Sequence, residues 1–317
     1  MSIPASSLFN LSGGVALVTG GGTGIGLMAA RALASQGAKV YITGRRLPVL
    51  ESSAKHHNPA LSEHGGSLVP LQLDVTSKES ISAAVSQVTQ QDGKLHILVN
   101  NAGVEGPVTH FTAEDFKEGA SPESKAELIS KRIMESEDFN GWDFVFRANV
   151  HALHFCSVAF LPLLVKGNSS PPTGREPGSS GVGTSGWTAG IVNITSISGL
   201  VKSSQNHYAY NASKAAANHL TQMLAHELQF GAKIPVRVNA IAPGLFATEM
   251  TTKQSSQATG GQSKVEDLDP RMSNPAGRTG TEAEMAQAVL FLASGLFTTG
   301  VVVPVDGGFV TATASNR

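Results

Sequence analysis

A doubly wound parallel α/β sheet of about seven strands, with helices on both faces, is the fold this sequence predicts. Three observations carry that expectation. Short apolar runs recur at residues 14–20, 38–43, 68–75, 95–99, 190–195, 236–241 and 301–305, and their length and composition suit strands buried on both faces. Helical patterns separate most of them, from the first turn through Ser35 and over 77–91, 145–165, 209–230 and 281–293. The first run ends in a glycine-rich turn, Gly20-Gly21-Gly22-Thr23-Gly24-Ile25-Gly26, that opens a helix. Sheets of this kind bind ligands at the carboxyl ends of their strands.

Residues 1–317 read as one domain, which a chain of 317 residues can build around a single core. Three stretches depart from the strand-helix rhythm. Residues 112–140 are charged and helix-prone, read as an inserted surface helix pair. Residues 167–188 are rich in Gly, Ser and Pro, read as a mobile surface loop. Residues 245–277 follow a strand, turn polar from 250 onward, and lie where a substrate lid is expected.

A formal net charge of −1 argues against a nucleic-acid partner. The densest apolar run, 158–165, is short and contains Pro162, so no membrane span is expected. The N-terminus lacks a basic region followed by an apolar one, which fits a soluble cytoplasmic protein. The single cysteine, Cys156, lies in an apolar helical run and reads as a buried small hydrophobe. With one cysteine and no metal-ligand spacing among ten histidines, no metal site is expected. His56, His57 and His64 are placed in a polar surface segment; His207, near the expected active site, reads as a solvated loop residue with substrate contact as the alternative, and Trp187 as the anchor of the 167–188 loop with packing on substrate as the alternative.

The glycine turn follows a strand and opens a helix, the context in which such a turn binds a dinucleotide. Gly20, Gly24 and Gly26 would let backbone approach a pyrophosphate, whose charge a helix N-terminus favours. A NAD-binding unit carries an acid near the end of its second strand to hold the ribose hydroxyls. Here that strand ends Thr43-Gly44-Arg45-Arg46, and the next carboxylate is Glu51. Forked guanidinium donors suit a 2′-phosphate, so NADP(H) is expected, with Arg45 as first choice and Arg46 second. Downstream, Tyr210 and Lys214 stand four residues apart on a predicted helix, one above the other on the same face. An adjacent ammonium would lower the phenol's pKa and make it a usable proton donor. Tyr208 has Ala212 four residues on and lacks such a partner.

Taken together, these residues resemble the short-chain dehydrogenase/reductase family. The motifs are Thr19-Gly20 with Gly24-Ile25-Gly26, Asn100-Asn101-Ala102-Gly103, a serine after a strand, Tyr210 with Lys214, Asn239 to Gly244, and Val305-Asp306-Gly307-Gly308. Within the family the chain is most similar to 3-oxoacyl-carrier-protein reductases of rhamnolipid and fungal secondary metabolism.

The resemblance implies a Rossmann-type fold and a reductase that passes hydride from NADPH to a ketone while Tyr210 donates a proton. It further implies that Lys214 assists Tyr210 and holds the nicotinamide ribose, that Ser196 holds the carbonyl oxygen, and that Asn149 holds a relay water. Ser198, Ser203 and Ser204 lie close by, and Ser198 is the next choice after Ser196. On the cofactor side it implies Thr23 and Ile25 in the glycine turn, Asp74 and Val75 near the adenine, Asn101, Ala102 and Gly103 after the fourth strand, and Pro243, Gly244 and Thr248 after the sixth. Asp74 reads equally well as the cap of the helix starting near Ser77, and Thr248 as a helix cap. Relatives pair the helices at 145–165 and 209–230, so a homodimer or homotetramer acting on a small-molecule carbonyl is expected. Two alternatives stand beside this reading: another reaction on the same scaffold (dehydration, isomerisation or C=C reduction), and a non-catalytic NADP-binding scaffold.

Overall fold

The computed structural model describes residues 5–116, 119–176, 186–248 and 274–313. Seven strands form one all-parallel sheet in the order β3-β2-β1-β4-β5-β6-β7. They are β1 (Val15–Thr19), β2 (Lys39–Gly44), β3 (Ser67–Gln72), β4 (Ile97–Asn100), β5 (Gly190–Ile194), β6 (Arg237–Pro243) and β7 (Val302–Val305). All five residues of β1, of β5 and the four of β4 are buried, as strands covered on both faces must be. Alternate residues feed opposite cores. Ala16 and Val18 pack on one face with Leu27 and Leu33 and with Met285 and Val289, while Val15 and Leu17 pack on the other with Ile81, Val88, Phe160 and Leu164.

The helices are α1 (Gly24–Ser35), α2 (Leu47–Ser62), α3 (Lys78–Gln91), α4 (Pro122–Ser136), α5 (Phe139–Phe146), α6 (Ala152–Ser169), α7 (Tyr208–His226) and α8 (Glu282–Ser294), with one-turn helices at Ala5–Leu8 and Phe309–Ala312. Several ends follow from local chemistry. The Ser77 hydroxyl accepts from Ser80 N and starts α3. Thr281 and Glu284 form a reciprocal capping box at α8. Asp74 therefore does not cap α3; its carboxylate accepts from the backbone and hydroxyl of Thr76 instead.

Three expectations are revised. Residues 47–62 form α2, and His57 on its inner face is buried; only His56 and His64 belong to the surface. The inner stripe of α2 is Leu50, Ser53, Ala54, His57 and Leu61, and two polar members hide the apolar period. The expected surface helix pair at 112–140 is a 3₁₀ turn (Ala113–Phe116) followed by the single helix α4, which buries none of its residues. Pro162 sits inside α6 without ending it, so helix runs from Phe139 to Ser169. That run is long and apolar enough to cross a membrane by composition, yet 50% of its most apolar window is buried. Cys156, Phe160, Leu163 and Leu164 on it pack into the core. Trp187 is fully buried against His96 and Arg175. The central part of the 167–188 loop and most of the expected 245–277 lid lie outside the described residues.

Between α5 and α6 the chain makes a π-helical turn, Arg147–His151. The extra residue in that turn changes which side of the helix faces inward. Upstream, α5 packs on α7; downstream, α6 packs on α3, β4 and β5. A second long-range device closes the far edge. Arg237 of β6 is 2% exposed and donates to the carbonyls of Leu292, Ala293 and Gly295 at the C-terminal end of α8 and to Thr188 O. Those helix-end carbonyls have no partner within their own helix, and a buried cation from the sheet satisfies them.

Candidate active site

Strand order reverses between β1 and β4, and the crevice outside that switch point holds a cleft of about 580 Å³. Carboxyl ends of five strands line it, through Gly20, Thr43 and Gly44, Leu73 and Asp74, Asn101 to Gly103, and Ile194 and Thr195. The glycine turn forms one wall. Gly20 and Gly24 have φ of 63° and 52°, a region that β-carbons disfavour. Gly26 lies behind the wall, where a β-carbon would meet Gly20 O at 2.2 Å, so its role is close backbone packing. Helix α1 starts at this wall, has no acidic residue in its first turn, and receives no side-chain cap from Thr23. Its first-turn N–H groups suit an anionic ligand. Thr19 fastens the opposite wall: its hydroxyl accepts from Asn101 N and Ala102 N, while Asn101 Nδ2 donates to Thr19 O and Gly20 O.

At the outer end of the cleft stand Arg45, Arg46, Asp74, Val75 and Thr76. The carboxyl of Asp74 is held below its usual value by the Thr76 hydrogen bonds, with a smaller contribution from the charge on Arg45. Thr248 closes the cleft over Gly24, whose β-carbon would lie 3.2 Å from Thr248 Cβ. Pro243 and Gly244 do not line the cleft. Gly244 backs onto Asp306, and its N–H donates to Val305 O. Asn100 points away too, donating to Ser157 Oγ and Asn193 Oδ1 within the sheet core.

At the inner end, helix α7 brings Tyr210 and Lys214 into the same cleft. Lys214 Nζ lies 5.5 Å from the Tyr210 ring centroid and donates to Ile194 O at the end of β5. Ser196 hydrogen-bonds Tyr210, and its hydroxyl also accepts from Ser198 N. Ser198, by contrast, gives its hydroxyl to Gln205 and braces the 200–207 loop. Asn149 sits on the π turn behind Gly103. Its carboxamide accepts from Val104 N and donates to Val104 O and Ser213 Oγ. A β-carbon on Gly103 would come within 2.9 Å of Asn149 Oδ1 and 3.6 Å of Lys214 Nζ, so the loop, the amide and the amine are packed to contact. The Asn149 carboxamide thus fixes the 103–104 loop against α7.

Family models match two long segments: one described as short chain dehydrogenase over residues 14–122, and one described as Enoyl-(Acyl carrier protein) reductase over 181–310. The short-chain dehydrogenase/reductase PhomF of Diaporthe leptostromiformis is 37% identical over 99% of this chain and 97% of its own length. The chain belongs to the short-chain dehydrogenase/reductase family. The rhamnolipids biosynthesis 3-oxoacyl-[acyl-carrier-protein] reductase of Pseudomonas aeruginosa is 32% identical over 95% of this chain and 98% of its own. A solved Pseudomonas aeruginosa RhlG/NADP active-site complex superposes with a TM-score of 0.71 at 31% identity, covering 96% of this chain and 98% of that one. The family is one of nicotinamide-dependent oxidoreductases, and the glycine wall and helix N-terminus described above fit such a cofactor.

Burial acts on both members of the α7 pair in this short-chain dehydrogenase/reductase. It pushes the Tyr210 phenol up to about 12, the negative charge of Glu105 adds to the rise, and only the Ser196 hydrogen bond opposes it. The net shift of the phenol is upward because loss of solvent is its largest cause. Burial also lowers Lys214 to about 8 from 10.5. Between those two values the unfolded chain binds more protons than the folded one, so this group makes stability rise with pH; below pH 8 its full cost is present. Lys214→Met is accordingly expected to raise stability by about 2 kcal/mol at pH 7, the relief of a shifted amine less one lost hydrogen bond. Urea midpoints should show that advantage shrinking by pH 9.5, and a variant less stable than wild type at pH 7 would contradict it.

Among the cleft residues that sequence reasoning missed are Glu105, Phe144 and Arg147. His207 is not a solvated loop residue. It is half-buried, and its ring stands edge-on to Tyr210 at 6.4 Å between centroids.

Proposed function

We propose that this chain is a cytoplasmic NADPH-dependent ketoreductase that converts a ketone of 3-oxoacyl or secondary-metabolite type to a secondary alcohol. The observation that carries the reading is the convergence of Tyr210, Lys214 and Ser196 at the inner end of the glycine-walled cleft. A reduced nicotinamide bound along that wall supplies hydride. The Tyr210 hydroxyl donates its proton to the carbonyl oxygen, and Ser196 hydrogen-bonds the same oxygen as negative charge grows on it. The buried ammonium of Lys214 beside the ring stabilises the phenolate left behind. Asn149 and Ser213 keep the 103–104 loop and α7 in register so that these groups stay aligned. The relatives support the substrate class, since the Pseudomonas aeruginosa one is a 3-oxoacyl-[acyl-carrier-protein] reductase. Incubation with NADPH and a panel of 3-oxo esters should give NADPH oxidation and an alcohol two mass units heavier than the ketone. A conjugated enone added to the panel whose product retains its carbonyl and loses its C=C bond would replace this reading with double-bond reduction.

Arg45 and Arg46 stand at the outer end of the cleft with no acid at the end of β2. They fit the 2′-phosphate of NADP(H). Arg45→Glu should raise the KM for NADPH by about tenfold or more with a small effect on NADH, as loss of a guanidinium-phosphate pair and gain of a like charge require. Equal Michaelis constants for the two cofactors in wild type would refute the assignment. We also propose a homodimer or homotetramer. Phe155 and Val158 on α6 and Met223 on α7 stand exposed on the helices expected to pair, an apolar surface that a second copy would cover. Light scattering should report at least twice the 33 kDa chain mass, and a monomer at micromolar concentration would count against it.

A further inference from the structure

The loop before α7 is held in a conformation that local chemistry disfavours. Gln205 and Asn206, neither of them glycine, have φ of 51° and 67° in succession. Contacts from several directions fix them there. Ser198 Oγ donates to Gln205 Oε1, Thr109 N donates to Asn206 O, Asn211 Nδ2 donates to Ser203 O, and His207 N donates to Ser204 O. The Thr109 bond is the informative one, because it ties this loop to the segment that leaves Gly103. The result is His207 edge-on to Tyr210 with its Nε2 3.8 Å from Glu105 Oε1, and Glu105 itself lines the cleft beside Tyr210. Strain that is over-determined on both sides and delivers two side chains to the reacting group points to function.

We propose that Glu105, braced by His207, is a specificity-determining residue that admits neutral ketones (esters, thioesters, hydroxyketones) to Tyr210 and rejects free oxo acids. The proposal rests on the ketoreductase reading above and narrows its substrate class. A carboxylate at this position repels a second carboxylate brought to the same site and can accept hydrogen bonds from substrate hydroxyls. Phe144 supplies an apolar wall nearby. Arg147 and Lys214 also line the cleft, and Glu105 is the carboxylate whose charge reaches the phenol. The other cations, Arg45 and Arg46, stand with Asp74 at the outer end.

The test compares matched pairs that differ only in charge: ethyl acetoacetate against acetoacetate, and ethyl 3-oxodecanoate against 3-oxodecanoate, each with NADPH. Wild type should favour the ester by about tenfold or more in kcat/KM, as expected for like charges a few ångströms apart at a partly buried site. In Glu105→Gln the ratio of acid to ester should rise by about tenfold, and Glu105→Asp should restore the wild-type ratio. A merely structural role would lower both substrates together and leave the ratio alone, and that result would overturn the proposal while leaving the ketoreductase reading intact. Turnover of none of the four ketones by wild type would sink the ketoreductase reading and this proposal with it.

Discussion

Tyr210→Phe is expected to lower kcat by about 10³-fold, a loss of about 4 kcal/mol in transition-state stabilisation, while leaving cofactor binding close to wild type. The substitution keeps the ring, its edge contact with His207 and its packing beside Lys214, and removes only the hydroxyl that pairs with Ser196. In the wild-type site a phenol pushed up to about 12 stays protonated across the physiological range, which suits a donor. Its proton leaves only as charge develops on the substrate, with Ser196 and Lys214 placed to share that charge. Single-turnover oxidation of NADPH should therefore slow, while NADPH fluorescence titrations report an unchanged affinity. Wild-type turnover in the variant would remove Tyr210 from the chemistry and leave the scaffold reading in its place.

Arg237→Met is expected to cost about 3 kcal/mol or more, because up to four carbonyls lose their donor in a buried site where each orphan costs about 1–3 kcal/mol. An opposing effect must be weighed. Burial lowers the guanidinium to about 10, so wild type already carries the expense of an unsolvated cation that methionine does not have. The carbonyls win, since Leu292, Ala293 and Gly295 lie at the end of α8, where no amide of that helix can reach them. Arg237→Lys should recover only part of the loss, because a point ammonium cannot span Thr188 on one side and three carbonyls on the other. Urea unfolding read by far-ultraviolet dichroism measures both variants. A midpoint unchanged by Arg237→Met would show that water reaches those carbonyls in solution.

The strands were legible in the sequence because each central one is apolar on both faces, and β1, β4 and β5 carry no polar residue except Thr19, Asn100 and Asn193. The glycine wall was legible because a turn at positive φ packed against a helix start leaves few alternatives to glycine. Helix α2 was not, because Ser53 and His57 occupy inner positions that an apolar count passes over. The start of the helical run at Phe139 was missed as well, since Phe139 and Phe144 are exposed and the π turn breaks the period that would have joined them to α6. Glu105 and His207 carry no motif at all. Their meeting depends on two residues at unusual φ and on one backbone hydrogen bond between distant loops, neither of which leaves a mark in residue type.

The π turn has an implication for how this helix can vary. A turn with one surplus residue offsets everything downstream by about 100° relative to an uninterrupted helix. Removing any single residue from 147–151 would let the turn relax to ordinary α geometry, and either Asn149 would swing out of reach of Val104, or Cys156 and Phe160 would rotate out of the core. Insertions and deletions here are thus barred from both directions, whereas the N-terminal end of α4, which buries nothing, is free of that constraint.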